Sequence, residues 1–194
     1  NENKSVRKLS PNYSGDRGIT LKTDSTKTIA VFDEKGFVRK YTSTTLPDSV
    51  KHRVLAMCNE DEVDESDDVI FITTDGQIKK SAFREYVAVR DDSLALKLNS
   101  KAKVASVFVG DVEDDILIIT EKGFVIRFGH SEVRQIGRIG IGVRAIRLED
   151  GDRVVGAITA SPNSNKELQI QISSGNKKLK ISRIAKQGRG GKCI

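Results

Sequence analysis

Apolar positions along the chain fall in short runs of β-branched and aromatic residues, each stopped by a polar turn and followed by a second run carrying cations. Runs of this kind, bounded by turn residues, predict β-hairpins. Four copies align on a turn glycine: TIAVFDEKGFVRKY from Thr28, DVIFITTDGQIKKS from Asp68, DILIITEKGFVIRF from Asp115 and ELQIQISSGNKKLK from Glu167. Their glycines, Gly36, Gly76, Gly123 and Gly175, lie 40, 47 and 52 residues apart. A unit recurring at that length predicts a propeller, a solenoid or a similar array.

A second element recurs between the hairpins. SLALKLNSKAKVASVFV, from Ser93 to Val109, matches VRAIRLEDGDRVVGAIT, from Val143 to Thr159, at an offset of 50, and Asp16–Asp24 reads as a truncated version. Each copy reads as strand, polar turn, strand. Two hairpins per unit give four strands, the content of a propeller blade. No stretch holds a 3.6-residue period over a dozen positions, and Ser81–Val87 is at most about one helical turn. The chain therefore reads as all-β, one domain over residues 1–194, with about four blades and one of them incomplete at either end. The approximate repeats are 16–58, 68–109, 115–159 and 167–194, with loops at Asn59–Asp68 and Ala160–Lys166.

Charge narrows the function. The 33 Lys and Arg exceed the 27 Asp and Glu by six, but seven acids sit in the single run Asn59–Asp68, so the remainder of the 194 residues carries +13. That balance fits a polyanion partner, and it fits a solvated lysine-rich surface equally well. The second hairpin arms carry cations a few positions past the glycine: Arg39 and Lys40, Lys79 and Lys80, Arg127, and Lys178 with Lys180. Side chains alternate faces in a strand, so one of each adjacent pair is expected at the solvent side. Lysines on edge strands also serve to block aggregation, which accounts for a single hairpin. Four hairpins in register favour a band of cations matched to a phosphate backbone. The carboxyl end adds Arg183 and Lys186 and closes on KQGRGGKCI, where glycines interleaved with Arg189 and Lys192 permit close main-chain approach to phosphate.

Other chemistries find little support. The Walker pattern fails at Lys186 and Cys193, and GRIGIG, Gly137–Gly142, lacks the order and the α/β surroundings of a dinucleotide fold. Cys58 and Cys193 are far apart, and with only His52 and His130 they suggest neither a disulfide scaffold nor a zinc site. Tyr13, Tyr41 and Tyr86 have no evident catalytic setting, and the pairs Asp67-Asp68 and Asp114-Asp115 sit at hairpin starts, where turn capping is the ordinary role. No apolar run approaches the ~18 residues of a membrane span, the amino end is polar, and a start at Asn1 suggests a piece of a larger protein.

At these residues the chain resembles the carboxyl-terminal domain of the A subunit of bacterial type IIA topoisomerases, DNA gyrase and topoisomerase IV. The resemblance runs through the KGFVRKY-type hairpins and through GRIGIGVRAIRLEDGDRVVGAITA, Gly137–Ala160. The closing QGRGGKC is similar to the family's box, Gln-Arg-Arg-Gly-Gly-Lys-Gly: Gln187, Arg189, Gly190, Gly191 and Lys192 match, while Gly188 and Cys193 depart. A weaker echo, Ile136–Gly142, keeps Arg138, Gly140 and Gly142. The resemblance implies a β-pinwheel, a propeller-like disc with strands exchanged between blades and a basic rim that bends or wraps duplex DNA. It also implies a cytoplasmic, nucleoid-associated protein. Its partners would be double-stranded DNA, the B subunit and the rest of the A subunit, with no membrane. This domain would hold no cofactor, the ATP and Mg2+ of the parent enzyme lying elsewhere, and catalysis would belong to a core outside this chain. The expected DNA contacts are the hairpin cations together with Arg138, Arg144, Arg183, Lys186, Gln187, Arg189, Gly190, Gly191 and Lys192. The competing class is a β-propeller scaffold for proteins, with the acidic run as its docking site and no DNA role.

Overall fold

The hairpins form at the predicted turns because each turn glycine takes a left-handed backbone. In the computed structural model, which describes residues 19–112, 115–172 and 175–192, φ is +80° at Gly36, +81° at Gly76 and +83° at Gly123. Each of these glycines donates its amide to the carbonyl three residues back, Asp33, Thr73 and Thr120 respectively. A type I turn closed by a left-handed glycine is the result.

The hairpin strands are β1 (Ile29–Asp33) with β2 (Phe37–Tyr41), β4 (Asp68–Thr73) with β5 (Gln77–Ala82), β8 (Asp115–Thr120) with β9 (Val125–Gly129), and β12 (Glu167–Ile172) with β13 (Gly175–Lys180). The inner strands β3 (Val54–Asn59), β7 (Val104–Gly110) and β11 (Val154–Ala160) pair with the first arms β1, β4 and β8. A single helical turn, α1 (Arg84–Val87), follows β5.

The second repeated element is not a hairpin. Its first strand, β6 (Ser93–Leu94), pairs with β2 of the preceding unit, whereas β7 joins its own unit. Likewise β10 (Val143–Arg144) crosses to β5, while β11 joins β8. Four-stranded blades thus arise by exchange, in the orders β3-β1-β2-β6 and β10-β5-β4-β7. The turn glycine guides the exchange, since the Gly36 carbonyl accepts from Ala95 and Leu96 and the Gly76 carbonyl accepts from Ala145 and Ile146.

The third sheet has three described strands and the fourth has two, so the amino-end blade is complete and incompleteness gathers at the carboxyl end. The sheets do not close a ring. Ile19–Asp24 form no strand, and the rest of the expected truncated copy, 16–18, lies outside the described residues.

Three apolar clusters separate the blades. Phe32, Phe71 and Tyr86 pack edge-to-face or tilted between the first two, within a cluster that also holds Val69 and Leu96. Ile70, Ile72, Ile78, Ile116 and Ile118 fill the next gap, and Leu117, Ile119, Leu168 and Ile170 the last. Because β4 sends Phe71 to one cluster and Ile70 to the other, an interior sheet has no solvent face. β7 touches β3 on one side and β11 on the other, which puts these strands on the inner side and β6 and β10 at the outer perimeter.

Candidate nucleic-acid interface

The cations of the first three hairpins are turned into the fold, whereas those of the fourth are exposed. Lys79 is 1 % exposed, Lys80 8 % and Arg127 5 %, so the expectation that one of each adjacent pair points to solvent is overturned. Alternation still holds on β5, but both of its faces are covered, and each lysine enters a different interior.

The partners explain how these charges are tolerated. Lys40, Lys80 and Arg127 occupy the same place in successive hairpins, opposite Ala30, Ile70 and Leu117. Lys40 pairs with Glu60, Lys80 with Asp68 at 3.5 Å and Arg127 with Asp115 at 2.9 Å. Arg127 also donates to the carbonyls of Pro162, Ile181 and Ile184 at 2.7, 3.1 and 3.2 Å. Burial pushes the Asp115 carboxyl up, but the hydrogen bonds from Lys186 and Arg127 outweigh it and leave the group below 3.8. Arg39 pairs with Asp33 and Asp92 and lies over the Phe37 ring. Lys79 donates to the Tyr86 hydroxyl at 3.0 Å, to the Ala95 carbonyl at 2.6 Å and to the Arg138 carbonyl, with its Nζ above the Phe71 and Tyr86 rings. Burial, reinforced by the Arg138 guanidinium, pushes its ammonium down to about 7. Ion pairs and carbonyls satisfy these charges inside the blade stack, so they are poorly placed for phosphate.

The two glycine-rich segments are one structural element used twice. The Ile136 amide donates to the Lys80 carbonyl and the Gln187 amide to the Arg127 carbonyl, both at 2.8 Å. Gly140 bonds back to Gly137, and Gly191 to Gly188, both at 3.2 Å. The guanidinium of Arg138 caps the Leu94 carbonyl at the end of β6, and that of Arg189 caps the Arg144 carbonyl at the end of β10. These loops fasten the exchanged strands.

Of the main-chain groups expected at phosphate in the closing segment, the amides of Gln187, Arg189, Gly190 and Gly191 are already bonded to acceptors within the protein. The Gly190 amide is engaged by the Ala145 carbonyl and the Arg189 amide by the Glu132 carboxylate, both at 2.8 Å. Cys193 lies outside the described residues. Lys186 remains exposed although it reaches Asp115 Oδ1 at 2.9 Å.

A different set of cations faces outward. Arg144 is exposed on β10, Lys178 and Lys180 share one face of β13, and Arg183 and Lys192 are exposed on the loops beyond. Arg134, just before the first glycine-rich loop, is exposed as well and is not among the contacts expected from the sequence. Lys80 and Arg127 have Asp68 and Asp115 as partners across their hairpins, whereas Arg134 lies outside the hairpins and forms no ion pair among the described residues. No cluster of His, Cys, Asp and Glu suited to a metal occurs among the described residues, and none of their helices is long and apolar enough to cross a membrane.

The profile described as "DNA gyrase C-terminal domain, beta-propeller" matches residues 67–111 and 114–161, the second and third repeats. The chain belongs to the DNA gyrase C-terminal domain family. The DNA gyrase A subunit of Haloquadratum walsbyi is 31 % identical over 147 residues, 72 % of this chain and 17 % of that protein. Its counterpart from Staphylococcus aureus strain MRSA252 is 33 % identical over 134 residues, 67 % of this chain and 15 % of that protein. The chain thus spans about a sixth of the length of these curated relatives.

Solved structures agree on the gyrase-type fold. The crystal structure of the C-terminal domain of DNA topoisomerase IV superimposes with a TM-score of 0.80 at 20 % identity, over 88 % of this chain and 58 % of that one. The E. coli ParC C-terminal domain gives 0.70 at 18 % identity, over 94 % and 82 %.

Proposed function

We propose that this gyrase-type domain binds duplex DNA without sequence preference along its outer perimeter. By bending or wrapping the duplex it presents DNA to a catalytic core outside this chain, as an accessory domain of an ATP-dependent type IIA topoisomerase in the bacterial cytoplasm. The other partners of this reading are the B subunit and the rest of the A subunit. The observation that carries it is the set of exposed cations, Arg134, Arg144, Lys178, Lys180, Arg183 and Lys192, for which no ion pair occurs among the described residues. Such a surface releases counterions from phosphates and reads no bases. Buried hairpin cations and box amides serve this function indirectly, by fixing the blades that carry the outward set.

The decisive experiment is topological. The chain is bound to nicked circular DNA at low salt, the nick is sealed with ligase, and the linking-number distribution is read on a gel. A shift that grows with protein supports chiral wrapping of the gyrase kind. Binding without a shift supports bending of the topoisomerase IV kind, and no binding at all refutes the DNA reading in favour of a protein scaffold.

A further inference from the structure

The first glycine-rich loop ends in two exposed isoleucines that the fold does not use. Ile139 is 55 % exposed and Ile141 39 %, on the short loop between Gly137 and Gly142 that leads into perimeter strand β10. Both stems of the loop are fixed, the second by the pairing of Val143 with Ile78 and the first by contacts at Ile136 and Arg138. Ile136 is held by its amide on the Lys80 carbonyl and by its carbonyl, which accepts from Ser81 Oγ at 2.7 Å. Arg138 is held through its guanidinium on the Leu94 carbonyl and through its own carbonyl under Lys79. In the equivalent loop the same two positions carry Gly190 and Lys192, so the apolar pair is not a requirement of the loop's shape. Exposed cations flank it, Arg134 before and Arg144 after, and one acid, Glu85, lines the shallow depression beside it.

We propose that Ile139 and Ile141 form an apolar wedge that enters the minor groove of bound duplex DNA and partly unstacks a base step. This deepens the function proposed above and rests on it. Apolar side chains inserted between base steps from the minor groove kink the duplex toward its major groove, and flanking arginines suit the negative potential of the minor groove on either side of the kink. A rigid loop loses little conformational freedom on insertion, so the burial of two isoleucines is retained as affinity. The kink would sit at one fixed point of the perimeter, favouring flexible pyrimidine–purine steps there while the remaining contacts stay indifferent to sequence.

The test uses the 194-residue chain and a duplex with a central TA step, labelled at both ends for energy transfer. Changing Ile139 and Ile141 together to Ala should raise Kd by about tenfold, reduce the bend, and leave the salt slope unchanged. Because the chain has no Trp, Ile139→Trp places a single reporter at the tip, and its emission should be quenched by stacking when DNA is added. Equal affinity and equal bend in the double variant, with unquenched Ile139→Trp emission, overturn the wedge while leaving perimeter binding intact. If the unaltered chain does not bind the duplex at low salt, the DNA reading itself falls, and the wedge with it.

Discussion

Arg127 and Asp115 meet across β8 and β9, with guanidinium Nε 2.9 Å from the carboxylate and side-chain exposures of 6 % and 4 %. The same guanidinium reaches the carbonyls of Pro162, Ile181 and Ile184, so one residue closes its own blade and ties it to the next repeat. Removing one partner of a buried pair strands the other charge, and Arg127→Ala should cost about 3–5 kcal/mol. Urea unfolding measures this directly. Near-normal stability of the variant would return Arg127 to the surface cations.

The acid limb of the stability profile follows from the same pair. Asp115 is pulled below 3.8 in the folded state, so its contribution is fully present above that value and is lost as pH falls through the folded pKa. Asp115→Asn should therefore flatten the loss of stability below pH ~4 relative to the unaltered chain. Parallel acid limbs for the two proteins would contradict the pairing.

Lys79 acts at the opposite end of the pH scale. Its folded pKa near 7 lies below the 10.5 of an ordinary lysine, so between these values the unfolded chain holds a proton that the folded chain releases. Stability attributable to this residue should rise with pH across that window and be flat below it. Lys79→Met keeps the stem between Phe71 and Tyr86 and removes the titration. Denaturation midpoints of the two proteins compared from pH 7 to 10 should diverge in slope, and equal slopes would place the Lys79 proton elsewhere.

Turn chemistry and the forty- to fifty-residue repeat made the hairpins and the all-β array legible, because a left-handed glycine and a run of β-branched residues are local signals. The fate of the cations was not local. Lys79 and Lys80 alternate as any strand residues do, yet the blades stacked on both sides of β5 leave neither face wet. Strand exchange hid in the same way: Ser93–Val109 has the pattern of a hairpin, but the Gly36 carbonyl captures its first strand for the preceding blade. The closing segment looked like a phosphate cradle because glycine and arginine suit both uses, and only the contact of Arg189 at the Arg144 carbonyl, matched by that of Arg138 at Leu94, identifies it as a fastener.

That fastening role distinguishes two glycines that look alike in sequence. Gly142 has φ +100°, and a Cβ there would stand 2.5 Å from the Ile78 carbonyl oxygen. Gly190 has φ +81°, but its nearest neighbour would be 3.6 Å away. Gly190→Ala should cost only about 1 kcal/mol of backbone strain, whereas Gly142→Ala must also displace β5 or β10 and should cost ~3 kcal/mol or more. Thermal melts resolve the pair, since each kcal/mol shifts Tm by roughly 2–4 °C in a domain of this size. Equal shifts would mean that the loop yields freely at β5.

Inward and outward cations differ most clearly in their response to salt. Lys178, Lys180 and Arg144 are exposed and form no ion pair with described residues, so Arg144→Ala, Lys178→Ala and Lys180→Ala combined should leave the melting temperature nearly unchanged. If each contacts one phosphate, the log–log slope of DNA affinity against salt should fall by roughly three, with similar losses on unrelated duplexes. Lys79→Met should do the reverse, altering stability while leaving the slope of the folded protein in place. The slopes decide between the two locations without reference to absolute affinity. A fall for the buried lysine and none for the exposed trio would put the DNA on a surface other than the outer perimeter.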